Sequence, residues 1–275
     1  MGMKRLAVLG HPVSHSRSPA MQTAALEALG LAAEWSYEAI DMLPAEFERL
    51  ARALPEQGFA GANVTIPHKQ AALALAGEAS AAAREIGAAN TLTFAGEIRA
   101  DNTDAHGLLA ALPRSPSGKR ALVLGAGGSA RAAAWGLANE GGAVEVWNRT
   151  AERAELLASE IAARAGAGSV TAVDAERARE GAHELIVNAT AVGMPGSGGA
   201  PFEQLPVDPA GLGEGVILVD LVYGHLDTEL VRVARERGAE VVDGLEVLVQ
   251  QGAESLRIWT GAEPPLDVMR KAAAA

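Results

Sequence analysis

Residues Ala121 to Leu137, ALVLGAGGSARAAAWGL, decide how the rest of the chain is read. A short apolar run, Ala121 to Leu124, leads into a glycine-rich turn, Gly125, Ala126, Gly127, Gly128, Ser129 and Ala130, and then into a stretch rich in good helix formers. A strand, a tight turn and a helix spaced as G-x-G-x-x-[GA] form the dinucleotide-binding fingerprint. Gly125 lets the chain turn sharply, and Gly127 lets backbone approach a pyrophosphate. Ala130 is small enough for the helix to lie close on the strand. The helix N-terminus then offers unpaired N–H groups to phosphate oxygens. These six positions are the first cofactor-binding candidates.

On the C-terminal side the pattern continues as alternating elements. Strands are predicted at 144–148, 170–173, 184–188, 216–221 and 240–242, with helices at 129–139, 150–164, 228–237 and 244–260, and a last short one near 267–274. The Gly/Pro-rich stretch from Pro195 to Gly215 has no periodicity and reads as a loop. On the N-terminal side, PRSPSG (113–118) is the clearest linker. Before it, strands are predicted at 5–10, 34–40 and 59–66, and a hairpin at 91–100 around Ala95-Gly96-Glu97. Helices are predicted at 19–29, 44–53 (with Leu43, Phe47 and Leu50 on its apolar side), 68–76, 80–86 and 104–112. Strands alternating with helices predict α/β layers.

The 275 residues suit one large domain or two smaller ones, with 49% hydrophobic and 21% charged residues, as in soluble globular proteins. No apolar stretch reaches the ~18 residues of a membrane helix, and the N-terminal residues lack a secretory leader's long apolar core. Cysteine is absent, which excludes disulfides and thiolate metal sites. There is no HExxH, no carboxylate run with metal spacing and no G-x-S-x-G elbow, so neither a metal nor a serine nucleophile is expected. The net charge of -11 argues against nucleic-acid binding. A cytoplasmic protein without nucleic-acid or membrane partners is the expectation.

Several loops carry polar groups at telling positions. In HPVSHSRSP, Ser14 and Ser16 stand two apart, which in an extended loop puts both on one side, where they could grip a carboxylate. The plainer alternative is a serine-rich turn before a helix capped by Ser18. In NVTIPHK, alternation puts Asn63 and Thr65 on one face at the C-terminal end of a strand, the edge where open α/β sheets bind ligands. Lys69 follows in a first helical turn, where a cation opposes the helix dipole, and the chain keeps lysine only at Lys4, Lys69, Lys119 and Lys271. Asn90 comes just before a strand. In Asp101-Asn102-Thr103-Asp104, one of the two carboxylates is expected to cap the next helix. Gln251 on a largely apolar helix reads either as a buried amide satisfied by backbone or as a donor to a polyol.

After the strand that follows the fingerprint helix come Asn148, Arg149 and Thr150. A dinucleotide enzyme that prefers NAD places Asp or Glu here for the ribose 2′-OH. A neutral residue followed by a cation favours a 2′-phosphate, hence NADP. Arg153 lies one helical turn on and can assist. Glu145, mid-strand, is the only rival for the ribose. The plain alternative is a helix cap at Thr150 with solvated arginines.

Taken together, HPVSHSRSP, NVTIPHK, AAN followed by Thr91, DNTD, GAGGSA, NRT, NATAVGM, DLVY and the VQQGA helix resemble the shikimate dehydrogenase family, in its order and over essentially the full length. The resemblance implies two α/β domains flanking a cleft. One is a substrate-binding and catalytic domain of residues 1–104 plus 246–275. The other is a Rossmann-type doubly wound NADP-binding domain of residues 105–245, with hinges near 104–118 and 243–246. It implies reduction of 3-dehydroshikimate to shikimate with NADPH, on the route to chorismate and aromatic amino acids; the expected assembly is a monomer or homodimer. Lys69 and Asp104 would form the catalytic pair. Ser14 and Ser16, with Tyr223, would meet the substrate carboxylate, and Thr65, Asn90 and Gln251 would hold ring hydroxyls. Gly125 to Ala130 would carry the pyrophosphate, and Asn148, Arg149, Thr150 and Arg153 the adenosine end. Thr190, Leu221 and Gly244 would lie near the nicotinamide. The family often has a proline two residues after the DLVY tyrosine, where this chain has His225.

The residue chemistry agrees with that assignment. Hydride reaching a ketone carbon leaves an oxygen that must gain a proton. A protonated lysine can stabilise the growing alkoxide and donate that proton, which arginine cannot. Asp104 would hold the ammonium in place. Two alternatives stay open at this level: a quinate/shikimate dehydrogenase of relaxed specificity, and a non-catalytic NADP-binding protein on the same fold.

Overall fold

The computed structural model of the protein describes residues 2–194, 196–224 and 227–275; Pro195, which opens the Gly/Pro-rich stretch, and His225 lie outside the described residues. The chain divides into two compact units, Met1–Gly107 with Leu248–Ala275, and Leu108–Val247. Both chain crossings fall inside helices, since one helix spans Asp104–Ala111 and another Gly244–Thr260.

The first unit contains strands β1 (Lys4–Gly10), β2 (Trp35–Asp41), β3 (Phe59–Val64), β4 (Glu78–Ala79), β5 (Thr91–Ala95) and β6 (Glu97–Asp101), in the order β2-β1-β3-β5-β6-β4. β1 pairs in parallel with β2 and β3, whereas β5 runs antiparallel to β3 and β6, so the sheet is mixed. The β5–β6 hairpin turns at Gly96, whose φ of +87° only glycine adopts cheaply. Helices α1 (Ser18–Ala28), α2 (Phe47–Ala53), α3 (Lys69–Leu75) and α4 (Ala81–Ile86) connect the strands, and α5 (Asp104–Ala111) leads out. Leu9, Phe47, Val64 and Leu92 are among the residues that fill the core beneath α2 and α3.

The second unit holds β7 (Arg120–Leu124), β8 (Ala143–Trp147), β9 (Ser169–Ala172), β10 (Leu185–Asn188), β11 (Ile217–Asp220) and β12 (Glu240–Asp243). Every pairing among them is parallel, in the order β12-β11-β10-β7-β8-β9. Counted from β7, this is the doubly wound order of dinucleotide-binding folds, with its switch point between β7 and β10. The sequence explains why both faces are covered. Alternate residues of β7, β10 and β11 enter two separate apolar clusters, with Val123, Val187 and Val219 in one and Leu122, Ile186 and Leu218 in the other. Continuous apolar runs of this kind suit a parallel sheet buried on both sides. Its helices are α6 (Gly128–Asn139), α7 (Ala151–Ala162), α8 (Ala175–Glu180), α9 (Pro201–Gln204) and α10 (Glu229–Glu236). The chain closes with α11 (Gly244–Thr260) and α12 (Leu266–Ala274).

Four local expectations are corrected. Helix α2 begins at Phe47, not at Pro44, and Leu43 is 48% exposed instead of facing the core. Ser18 does not cap α1: it lies inside the helix, buried, and its N–H is taken by Ser16 Oγ at 3.3 Å. Stretch 195–215 is not all loop, because a proline at the first turn starts α9 and another starts a 3-10 turn at Pro209–Gly211. Neither carboxylate of DNTD caps α5; Asn102 does, its Oδ1 accepting from the N–H groups of Asp104 (3.0 Å) and Ala105 (3.4 Å). Among the described residues no helix is long and apolar enough to cross a membrane.

Candidate active site

In the first unit the candidate chemistry gathers around the C-terminal ends of β1 and β3 and the starts of α3 and α5. After β3, Thr65 leaves the sheet and Ile66-Pro67 brings the chain round to α3, whose first residue is Lys69. His68, just before it, is pinned on two sides. Its ring stacks on Phe47 at 4.4 Å between centroids, and its Nε2 lies 2.7 Å from Met42 O. Burial lowers the pKa of His68 below the ordinary histidine value, so the ring is held neutral, with Nε2–H donating to that carbonyl. The anchored imidazole fixes where the lysine on the next residue starts.

Lys69 is 8% exposed, and its Nζ donates to Asp104 Oδ2 at 2.6 Å. Asp104 is available for this contact because Asn102 has taken over the cap, and Asn102 is itself tied down through Nδ2 to Ala88 O at 2.8 Å. Asp101, the other carboxylate of the motif, pairs with Arg99 at 3.5 Å. The second oxygen of Asp104 accepts from Asn90 Nδ2 at 2.9 Å. The same amide nitrogen lies 2.9 Å from Thr103 Oγ1 and 3.0 Å from Gln251 Oε1, so its two protons are shared among three acceptors. Gln251 closes the set by donating from Nε2 to Leu248 O at 2.8 Å. Lys69, Asp104, Asn90 and Gln251, spread over more than 180 positions of sequence, therefore form one bonded group. Gly107 permits the close packing of α5 on α11: a Cβ there would lie 2.7 Å from the Gln251 backbone nitrogen.

Thr65 and the two serines share the edge formed by β1 and β3. Thr65 N–H donates to Leu9 O at 2.8 Å, and His11 N–H to Ile66 O at 3.0 Å. The loop after β1 is braced by Asp41, whose carboxylate meets His11 Nδ1 at 2.7 Å and accepts from Val13 N–H at 3.2 Å. The His11 contact is the main cause holding the Asp41 carboxyl below its ordinary value. Ser14 is exposed and Ser16 half-buried, with Ser16 Oγ partly engaged at the start of α1.

In the second unit, Gly125 has φ +111°, and a Cβ there would meet Ala189 O at 2.9 Å, so this position requires glycine twice over. Gly127 is the N-cap of α6, and nothing lies within 4 Å of where its Cβ would be. Ala126, Gly128 and Ser129 are half-buried and Ala130 is fully buried against the sheet. This is an open cradle of main-chain donors at a helix start, as a pyrophosphate needs.

At the end of β8, Asn148 donates to Thr150 O at 2.9 Å. Thr150 occupies the N-cap of α7 but makes no side-chain capping bond, so the plain cap reading does not account for it. Arg149 and Arg153 are exposed and form no ion pair among the described residues. Glu145, the rival for a ribose, is committed elsewhere: it accepts from Arg177 Nη2 at 2.6 Å and lies 2.7 Å from His183 Nε2. Burial works to raise its pKa, but those two partners together outweigh burial and lower it. Two unpaired guanidinium groups beside an occupied carboxylate fit a 2′-phosphate and not a bare ribose.

Thr190 and Leu221 sit on the loops that follow β10 and β11, and Gly244 opens α11 directly after β12. The fully buried Asp220 braces the first two. It accepts from Asn188 Nδ2 (2.9 Å), Val222 N–H (3.1 Å) and Thr228 Oγ1 (2.6 Å), while Asn188 Oδ1 accepts from Thr190 Oγ1 at 2.7 Å. Burial raises the Asp220 carboxyl above its ordinary value despite these donors. Gly244 allows α11 to start hard against β11, since a Cβ would lie 2.6 Å from Asp220 O. Tyr223, half-buried, belongs to the loop after β11.

Asn102, Thr103, Gly107, Asp220 and Ser255 did not stand out from the sequence as site residues. Only Asn102 carried a readable signal, as an asparagine two residues before a helix in a chain that uses few of them.

A doubly wound sheet with a dinucleotide cradle, in one chain with a buried ammonium–carboxylate pair among amides and hydroxyls, defines a nicotinamide-dependent oxidoreductase. Residues 8–92 match the model of the shikimate dehydrogenase substrate binding domain, 109–197 that of shikimate / quinate 5-dehydrogenase and 244–274 that of the shikimate 5'-dehydrogenase C-terminal domain. A relative from Thermus thermophilus, shikimate dehydrogenase (NADP(+)), is 46% identical, with 98% of each chain covered. A solved Thermus thermophilus shikimate 5-dehydrogenase in complex with NADP(H) and shikimate superposes with a TM-score of 0.84 at 43% identity, covering 98% of each chain. Quinate dehydrogenase from Corynebacterium glutamicum in complex with NAD gives a TM-score of 0.86 at 32% identity, covering 99% of each chain. This chain belongs to the shikimate dehydrogenase family.

Proposed function

We infer that this chain is an NADP-dependent shikimate dehydrogenase that reversibly reduces 3-dehydroshikimate to shikimate. The observation that carries the reading is the 2.6 Å contact between Lys69 Nζ and Asp104 Oδ2 inside the bonded group of Asn90 and Gln251, in a member of this family. Bound NADPH supplies the hydride. Lys69 carries three N–H donors on one ammonium, and with one directed to Asp104 it turns to the substrate oxygen, where it stabilises the developing alkoxide and delivers a proton. Asp104 keeps the ammonium aimed and compensates its buried charge, which alone would be costly.

Thr65, Asn90 and Gln251 hold ring hydroxyls in this reading. Ser14 and Ser16, with Tyr223, receive the carboxylate. The cradle from Gly125 to Ala130 takes the pyrophosphate. Arg149 and Arg153, flanked by Asn148 and Thr150, take the 2′-phosphate, and Thr190, Leu221 and Gly244 border the nicotinamide. The substrate-binding role falls to the first unit and the NADP-binding role to the second. The cytoplasm is the proposed compartment, and a monomer or homodimer the proposed state.

The test is absorbance at the nicotinamide band, with the purified protein, shikimate and either NADP or NAD, and a parallel pair with quinate. Rapid reduction of NADP with shikimate alone is the expected result. Comparable rates with quinate or with NAD would establish the relaxed quinate/shikimate activity in its place. NADP binding without reduction in any cuvette would leave a non-catalytic NADP-binding protein and remove the roles of Lys69 and Asp104.

A further inference from the structure

Behind the bonded group lies a hydroxyl that the proposed reaction does not use. Ser255 sits on α11 one turn beyond Gln251 and is fully buried. Its Oγ donates to Gln251 O at 3.0 Å and accepts from Asn63 Nδ2 at 2.8 Å. It also lies 2.9 Å from Thr91 Oγ1 and 3.1 Å from Thr103 Oγ1. A hydroxyl has one proton and two lone pairs, so these four neighbours leave it nothing for water or substrate.

Both threonines pass the constraint on. Thr91 Oγ1 and Thr103 Oγ1 each lie 3.2 Å from Asn90 Oδ1; with the Ser255 proton on Gln251 O, one threonine hydroxyl donates to Ser255 Oγ and the other to Asn90 Oδ1, and Thr103 N–H donates to Asn90 Oδ1 at 2.7 Å. The Thr103 N–H, which can only donate, settles which way the Asn90 amide faces, and a threonine hydroxyl adds a second donor to the same oxygen. Its Nδ2 must then point at Asp104 and Gln251. The reversed amide would place an oxygen against the Asp104 carboxylate. On the far side Asn63 Oδ1 accepts from Tyr37 OH at 2.8 Å, anchoring the chain of bonds in β2. Carboxamides do not gain and lose protons near neutral pH, so Asn90 blocks proton transfer along this chain. Its work is orientation.

We propose that Ser255 is a positioning residue of the reaction: through Thr91 and Thr103 it fixes the Asn90 amide, and through Asn90 the Asp104 carboxylate that aims Lys69. The proposal rests on the shikimate dehydrogenase function inferred for this chain. It places a determinant of turnover on the returning helix, two residues beyond the VQQGA segment.

The experiment compares Ser255→Ala, Thr91→Val and Thr91→Ser with the unaltered enzyme, at a temperature well below every variant's melting point. Small displacements of reacting groups cost turnover steeply, so Ser255→Ala and Thr91→Val are expected to lower kcat about ten- to hundredfold. KM for NADP should stay unchanged, and Thr91→Ser, which keeps the hydroxyl, should restore turnover. If Ser255→Ala does not fold, the two Thr91 variants carry the test, since valine keeps the shape of threonine. Unchanged kcat in the variants that fold, even with a lowered melting point, would overturn the proposal. So would parallel loss of kcat and NADP affinity, or failure of Thr91→Ser to restore turnover. An unaltered enzyme that oxidises no shikimate would defeat the proposed function instead, and the two failures are thereby distinct.

Discussion

The sheet of residues 120–243 is parallel throughout and apolar on both faces, and its candidate ligand groups are main-chain N–H donors at a glycine turn and arginines in solvent. The sheet of the first unit mixes parallel and antiparallel strands, and its candidate groups are buried side chains already bonded to one another. The difference teaches how each kind of site tolerates change. A main-chain cradle holds its shape as long as the strand–turn–helix folds, and an exposed cation contributes affinity almost independently of its neighbours. A buried polar group of this kind depends on every member, because each lost partner leaves another desolvated group unsatisfied.

The sharpest way to break the comparison is at Lys69. Lys69→Arg keeps the charge but cannot serve as the acid, and general acid–base roles contribute about 10²- to 10⁴-fold. Turnover should fall within that range while the dissociation constant for NADP, read by fluorescence titration, stays near normal. Near-native turnover in both Lys69→Arg and Lys69→Ala would remove the buried group from the chemistry. Arg149→Ala makes the complementary cut. A charge-assisted bond is worth about 1.5–3 kcal/mol, so NADP should bind about 10- to 100-fold more weakly, with KM for shikimate unchanged. Its preference for NADP over NAD should shrink with it, and an unchanged ratio would point the 2′-phosphate elsewhere.

The smallest expected effect is in pH dependence, where the two units have opposite signs. Burial lowers the folded-state pKa of His68 below 6.5, so the unfolded chain binds more protons below that pH. Its contribution is fully present above 6.5 and is lost as pH falls from 6.5 through the lowered value. Burial raises Asp220 above 3.8, so there the folded chain holds the extra proton, and stability is lost as pH rises from 3.8 through the raised value. Melting temperatures of His68→Gln and Asp220→Asn, compared with the unaltered chain across mildly acid pH, should therefore diverge in opposite directions. Differences of the same sign would mean that burial fails to displace one of these two pKa values.

The unequal legibility of the two sites follows from the same contrast. The dinucleotide turn is local: Gly125, Gly127 and Ala130 lie within six consecutive residues, and their backbone and packing demands can be read from spacing alone. Arg149 was legible for the same reason, being fixed by its place at the end of one strand. Lys69 and Asp104 stood out only through residue scarcity and the family resemblance, because nothing in spacing says that positions 69 and 104 touch. The errors were also local competitions decided elsewhere. Ser18 has good cap chemistry, yet the helix already begins at Ser18, with Arg17 in the N-cap position. Asp101 and Asp104 are better cap candidates in the abstract than in a fold where Arg99 and Lys69 engage them.

By itself, then, the sequence determined the strand–turn–helix of the dinucleotide turn, the alternation of elements and the choice of a cation where an acid would select NAD, all set by short-range sterics and charge. Only the tertiary structure decided which amide faces which carboxylate. Asn90 meets Gln251 across 161 positions, and Asn63 meets Ser255 across 192. Such pairings exist only once α11 has packed on β3 and β5, because a hydrogen bond between distant residues has no energetic reality until burial has removed the water that would otherwise satisfy both ends.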